Sequence, residues 1–193
     1  MSGGIAQPGF ADPVAGAQAC FRAVLDAMAR PGQVRDAGIG LQPPSPLAPS
    51  AAAVLLTLLD HDTPLWLDPA AAAARDWIAF HCGATIVAQT IACSFALALT
   101  LPDLAMLPAG SHEAPETSAT LILQVHAFGA GARYRLNGPG LYEAAILAVD
   151  GLPAGFPAWW QQNHALFPRG IDVVLCAGTQ LAALPRSVSL QEA

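Results

Sequence analysis

From Asp12-Pro13 onward, Val14, Ala17, Phe21, Val24, Leu25 and Met28 recur at the spacing of a helix with one apolar face. Asp12 is placed to cap it, Pro13 suits its first turn, and Pro31-Gly32 stops it. A Pro-rich connection covers 38–50, where Ser50 can cap a second helix over roughly 51–59. Asp60-His61-Asp62-Thr63-Pro64 reads as a polar turn, and Leu65-Trp66-Leu67 is short enough for a strand. Asp68-Pro69 repeats the helix start, with the helix running to about Phe80.

Ile91, Cys93, Phe95 and Leu97 then alternate with smaller residues, the period of a strand. Thr120 to Phe128 reads as a longer apolar strand, and Gly129-Ala130-Gly131 predicts a turn into Arg133-Tyr134-Arg135-Leu136, an antiparallel hairpin. Asn137-Gly138-Pro139-Gly140 breaks the pattern and a mixed segment follows. A short helix is predicted around Ala158–Asn163. Val173–Cys176 and Leu181–Leu184, joined by Gly178-Thr179-Gln180, read as a last hairpin. Helices first and strands late predict a layered α/β fold, a central mixed sheet flanked by helices. One domain is expected over residues 1–193, its core at about 13–186.

Composition narrows the function. Hydrophobic residues make up 54% and charged residues 11%, against a usual charged fraction of roughly 25%. Alanine accounts for part of this, but so sparse a charge predicts a surface covered by a permanent partner. All eight basic residues are arginine, which excludes a lysine Schiff base, a P-loop lysine or a lysine general base. With a net charge of −6 and no basic cluster, no nucleic-acid groove is expected.

Met1 to Ile5 shows neither a basic nor an apolar signal region. The charge-free stretch from Trp77 to Pro102 is interrupted by His81, Gly83 and Gln89, so it predicts helix, turn and strand and no membrane span. Cys20, Cys82, Cys93 and Cys176 lie far apart in apolar contexts, as reduced core thiols of a cytoplasmic protein do.

Motifs of established chemistry are scarce. Gly129-Ala130-Gly131 precedes a strand where a dinucleotide fingerprint needs a helix, and Gly138-Pro139-Gly140 lacks one amide donor. Asp60-His61-Asp62, His81-Cys82 and His112 with Glu113 and Glu116 lack metal-ligand spacing, so no metal is expected. Ser94 and Cys176 sit inside predicted strands and not at a nucleophile elbow. What remains is arginine, whose planar fork suits phosphate or carboxylate and equally suits inter-subunit pairing. In Phe167-Pro168-Arg169-Gly170-Ile171-Asp172 the proline and glycine bracket Arg169 close to Asp172, a charged pair on a rigid loop leading into a core strand.

Taken in order, several blocks resemble the H subunit family of the bacterial carbon–phosphorus lyase system, PhnH. They are Phe21 to Gly32, Leu55 to Leu67, Ala119 to Val125, Leu136 to Leu141, Phe167 to Asp172 and Leu181 to Arg186. The resemblance implies a cytoplasmic protein that forms a homodimer and joins the G, I and J subunits of a phosphonate-degrading core complex. It further implies a part in the step that couples a phosphonate to the ribose of ATP, and a fold similar to pyridoxal-phosphate-dependent transferases without that cofactor. The missing lysine independently forbids the cofactor's aldimine.

No catalytic motif carries over, so contact residues are nominated by chemistry within the matching blocks: Arg22, Arg30, Asp60, Asp62, Thr63, Arg169, Asp172 and Arg186. An accessory subunit is the favoured expectation. The alternative is a stand-alone phosphate- or nucleotide-binding transferase, with arginines on the substrate and Asp60, Asp62 or His61 as base.

Overall fold

The computed structural model describes residues 7–193; the reading of Met1 to Ile5 lies outside them. Asp12 caps helix α1 (Pro13–Ala29) as expected, its Oδ1 accepting from the amides of Val14 and Ala15 at 3.0 Å. The chain then makes a two-residue strand β1 (Arg35–Asp36) and helix α2 (Pro49–Leu58). Ser50 is not the cap of α2: it lies fully buried in the first turn, and Ala48 takes the cap position without a side-chain bond. Gln124 serves this end instead, its Oε1 accepting from the Ala48 amide at 2.6 Å while its Nε2 donates to Pro46.

Strand β2 (Leu65–Leu67) leads into a 3-10 turn (Pro69–Ala74) capped by Asp68, then helix α3 (Arg75–Cys82) and strand β3 (Ile86–Val87). The strand predicted from Ile91 begins only at Phe95, as β4 (Phe95–Ala98), because Thr90–Ala92 coils into a 3-10 turn. Strands β5 (Thr120–Gln124), β6 (Ala127–Asn137) and β7 (Ala145–Asp150) follow. Helix α4 (Phe156–His164) precedes strands β8 (Asp172–Ala177), β9 (Gln180–Leu184) and β10 (Ser189–Glu192).

The main sheet has seven strands in the order β1-β9-β8-β5-β4-β2-β3. The run from β8 to β3 is parallel, and β9 is antiparallel to both of its neighbours. Its central strands are apolar on both faces, as strands covered on both sides are. Ile122, Val174 and Cys176 face the layer of α1, α2 and α3, whereas Leu121, Leu123, Val173 and Leu175 face a second core. That second core is closed by α4 and a three-stranded antiparallel sheet, β10-β6-β7. Trp160 is fully buried there, its Nε1 donating to the Val188 carbonyl at 2.8 Å.

The β8–β9 hairpin forms as expected. The one predicted between Thr120–Phe128 and Arg133–Leu136 does not. The apolar run is divided between two sheets: Val125 donates to Cys176 in the large sheet, and His126, the next residue, donates to Asp150 in the small one, both at 2.9 Å. Gly129-Ala130-Gly131 is no hairpin turn but a bulge within β6, where the register against β7 jumps from Phe128 to Ala132 at Val149.

Helix α1 also differs from its pattern. Its buried side is Cys20, Val24 and Ala27, while Val14, Phe21 and Leu25 are 68%, 46% and 53% exposed. Small side chains let α1 lie close against α2 and β9, and the bulky residues are left facing outward. The Gly138-Pro139-Gly140 turn packs under the end of α1. Gly140 sits at φ +84°, and a Cβ there would stand 2.1 Å from the Ala29 carbonyl oxygen, so glycine is required by both conformation and space.

Candidate functional site

The outward face of α1 ends in an open groove of about 600 Å³, lined by Arg22, Ala23, Leu25, Asp26, Ala29, Arg30 and Arg35. Arg22 and Arg30 come from the sequence reading, and Asp26 stands one helical turn from each. The Asp26 carboxylate takes the Arg30 guanidinium on one oxygen and the Arg35 Nε on the other. Arg35 is further held by its Nη1 on the Val34 carbonyl at 3.3 Å and by the Gln33 side chain. Arg22 meets only the Gln18 Oε1, at 3.4 Å, and no carboxylate among the described residues. Three guanidiniums against one carboxylate leave the groove cationic in an acidic protein. The Arg22 fork, which meets no carboxylate among the described residues, stands in the same groove as exposed Leu25 and fits a carboxylate or phosphoryl group carried on an apolar body.

Sequence reasoning missed Asp26 and Arg35. Asp26 was readable, because Arg22, Asp26 and Arg30 recur every four residues on a helix. Arg35 was not, since only the reversal at Pro31-Gly32 returns β1 to α1.

Asp60, Asp62 and Thr63 come together in a self-satisfied turn. The Asp60 Oδ1 accepts from the Asp62 amide at 2.9 Å and from the Thr63 hydroxyl at 3.1 Å, and the Thr63 Oγ1 accepts from the Asp60 amide at 2.6 Å. His61 Nε2 lies 3.2 Å from Asp62 Oδ2, with both side chains more than 80% exposed. None of these groups bonds to an arginine, so the turn shapes the chain before β2.

The Phe167–Asp172 block is built differently from its sequence reading. Asp172 pairs with Arg186, not with Arg169. Both carboxylate oxygens lie 3.2 Å from the Arg186 Nε, Oδ2 is 2.6 Å from Nη2, and the Arg186 amide donates to Oδ1 at 2.8 Å. The remaining Nη1 donates to the Pro115 carbonyl, so the pair ties β8, the end of β9 and the 3-10 turn Pro115–Thr117 together. Fully buried Asn163 holds Ile171 by two backbone bonds of 2.8 Å, and the Gly170 amide donates to Ala109. Arg169 stands apart, its Nε shielded from solvent and without a hydrogen-bond partner among the described residues.

Among the described residues, no three His, Cys, Asp or Glu side chains are placed to hold a metal ion, and no helix is long and apolar enough to cross a membrane. Residues 8–191 match the family described as bacterial phosphonate metabolism protein PhnH. The chain belongs to the PhnH family. It is 41% identical over 187 residues to the PhnH subunit of alpha-D-ribose 1-methylphosphonate 5-triphosphate synthase from Rhizobium meliloti (strain 1021), covering 94% of each chain. It is 34% identical over 177 residues to HtxG of Stutzerimonas stutzeri, whose name assigns it provisionally to the C-P lyase; 90% of this chain and 85% of that one are covered. PhnH membership thus spans α1 to β10, the arginine groove and the Asp172–Arg186 pair included.

Proposed function

We propose that this chain is an accessory subunit of the carbon–phosphorus lyase core complex. It serves phosphonate catabolism in the cytoplasm, at the step that joins ATP and a phosphonate into a ribose 1-phosphonate triphosphate. The observation that carries this reading is the end-to-end likeness to a synthase subunit, at 41% identity over 94% of both chains. The chain works as a homodimer and contacts the G, I and J subunits. It binds no cofactor of its own. The mixed seven-stranded sheet is compatible with a transferase-like fold whose cofactor chemistry has gone, and a chain without lysine has no group to hold an aldimine.

Assembly is supported by the surface of α1. Val14, Phe21 and Leu25 are exposed beside the cationic groove, a mixture that suits a partner subunit better than water. Arg169, whose Nε has no hydrogen-bond partner among the described residues, is a second contact, for a carboxylate from outside the chain.

Tagged chain co-expressed with the G, I and J subunits is expected to co-purify with them. A chain that stays a free monomer in their presence overturns the reading. Adenine release from ATP and an alkylphosphonate separates the alternative: release only with the partners fits an accessory subunit, and release by this chain alone fits a self-sufficient transferase.

A further inference from the structure

Strand β7 is the open edge of the small sheet. It is six residues long and pairs with β6 on one side, and no other strand borders it among the described residues. The opposite edge, β10, has four residues, and the edges of the main sheet have two each. Alternate residues of an edge strand turn their backbone N–H and C=O groups away from the sheet, and such edges are normally blunted by charge, proline or shortness. Ala145-Ile146-Leu147-Ala148-Val149 carries neither charge nor proline. An edge of this length and composition calls for a cover.

A groove of about 370 Å³ follows this edge. Ile146, Leu147 and Ala148 all line it. Consecutive strand residues point to opposite faces, so a hollow that meets all three runs along the strand and not over one face of the sheet. Gly32 and Val34 form the other wall. No backbone bond joins that segment to β7 among the described residues; the Gln33 amide turns back to the Arg30 carbonyl at 3.2 Å.

The charge around the groove has one sign. Arg133 of β6 lines it and stands opposite Ala148, with Arg135 opposite Ile146 on the same outward face. Both arginines are exposed. The arginine ion pairs among the described residues are those of Arg30, Arg35 and Arg186, so neither of these two guanidiniums has a carboxylate. Asp150, at the end of β7, is turned to His126 at 3.6 Å, and Glu192 lies on β10, across β6 from the groove. Residues 30–35 wall this groove and the one on α1 alike. Arg22, Arg30, Arg35, Arg133 and Arg135, five of the eight basic residues, therefore gather around two adjoining hollows.

We propose that the free edge of β7 takes an added strand, an extended acidic segment of another protein chain, with its carboxylates on Arg133 and Arg135. Main-chain bonds hold such a strand and its alternate side chains select it. Arg133 reaches over the small Ala148 to a carboxylate on the outward face, while the intervening side chains enter the groove beside Leu147 and Val34. A second copy of this chain is the poorer occupant, because β7 paired with its twin sets two rows of arginine on one face of a continuous sheet. The inference goes beyond the subunit role proposed above and stands whichever chain supplies the segment.

The probe is a fluorescein-labelled peptide of about ten residues alternating Glu and Val, enough to span β7, titrated with the full-length chain and followed by anisotropy. One control replaces each Glu by Lys. The other keeps the sequence and methylates alternate backbone nitrogens, so it retains the charge and cannot complete a ladder. The Glu–Val peptide is expected to saturate the chain at sub-millimolar concentration, to slow amide exchange within Ala145–Asp150, and to bind about tenfold more weakly to R133E/R135E. Both controls are expected to bind weakly or not at all. No saturation, equal binding of either control, or unchanged exchange in β7 with the peptide bound overturns the proposal. Exchange in β7 that slows with chain concentration alone also overturns it, and gives the edge to a second copy. Co-purification with the G, I and J subunits is read separately. Assembly without peptide binding sinks only the edge site, and peptide binding without assembly sinks only the subunit role.

Discussion

Arg186 and Asp172 share four donor–acceptor contacts across the β8–β9 hairpin, and each is at least three-quarters buried. Removing one partner leaves the other charged, desolvated and alone, which costs more than the net worth of the pair. D172A is expected to lose about 2–4 kcal/mol of stability. A double variant D172A/R186M is expected to recover part of that loss. Urea denaturation of the three proteins measures both effects.

Arg169 carries the opposite expectation. Its Nε has no hydrogen bond to lose among the described residues, so R169M is expected to change stability by less than about 1 kcal/mol. Charge reversal, R169E, is expected to abolish co-purification with the partner subunits while the isolated chain stays folded. Intact assembly with lost turnover would instead place Arg169 at a reacting centre.

Asp68 makes part of the fold's stability depend on pH. Burial alone would raise its pKa, but hydrogen bonds from the amides of Ala70, Leu99 and Thr100 and from the Thr100 hydroxyl outweigh burial and hold it below the ordinary value. A carboxyl depressed on folding contributes stability that is fully present above its unfolded pKa, about 3.9, and lost as pH falls through the folded value. Denaturation midpoints measured from neutral pH to about pH 3 are expected to fall less steeply in D68N than in the parent. D68N should also start lower at neutral pH, by about 1–2 kcal/mol.

The cysteines are expected to be silent in the folded protein. All four are free and buried, and burial pushes the thiols of Cys82 and Cys176 up to about 12. At about pH 8 their thiolate fraction is on the order of one in ten thousand, far below that of a free cysteine. Iodoacetamide at that pH should label none of the four until urea is added, and then all four. Rapid labelling of Cys176 in the native state would contradict its burial.

The sequence made some elements plain and disguised others. Asp12-Pro13, the α4 region and the β8–β9 hairpin were legible because a cap, a turn residue and a period agreed. Helix α1 was found but its inner face was not. Cys20 and Ala27 weigh little in an apolar pattern, yet their small size brings α1 close to its neighbours. The run from Thr120 reads as one arm of a hairpin because an apolar stretch does not reveal whether its partners run parallel. Strand β7 lay hidden in Ala145–Asp150, where small apolar residues suit helix and strand alike. Of the nominated residues, Arg22 with Arg30 and Asp172 with Arg186 were brought together, the second pair across 14 residues. The Asp60–Thr63 turn satisfied itself, and Asp26 and Arg35 completed a groove that spacing revealed only in part.

The main sheet begins and ends with strands of two residues, β1 and β3. Edges this short present almost no unpaired backbone for another chain to continue. At the edges of the main sheet a partner subunit therefore has little ladder to extend, and recognition on those sides passes to side chains on helices and loops. Those surfaces can change partner or affinity by single substitutions without disturbing a hydrogen bond of the sheet.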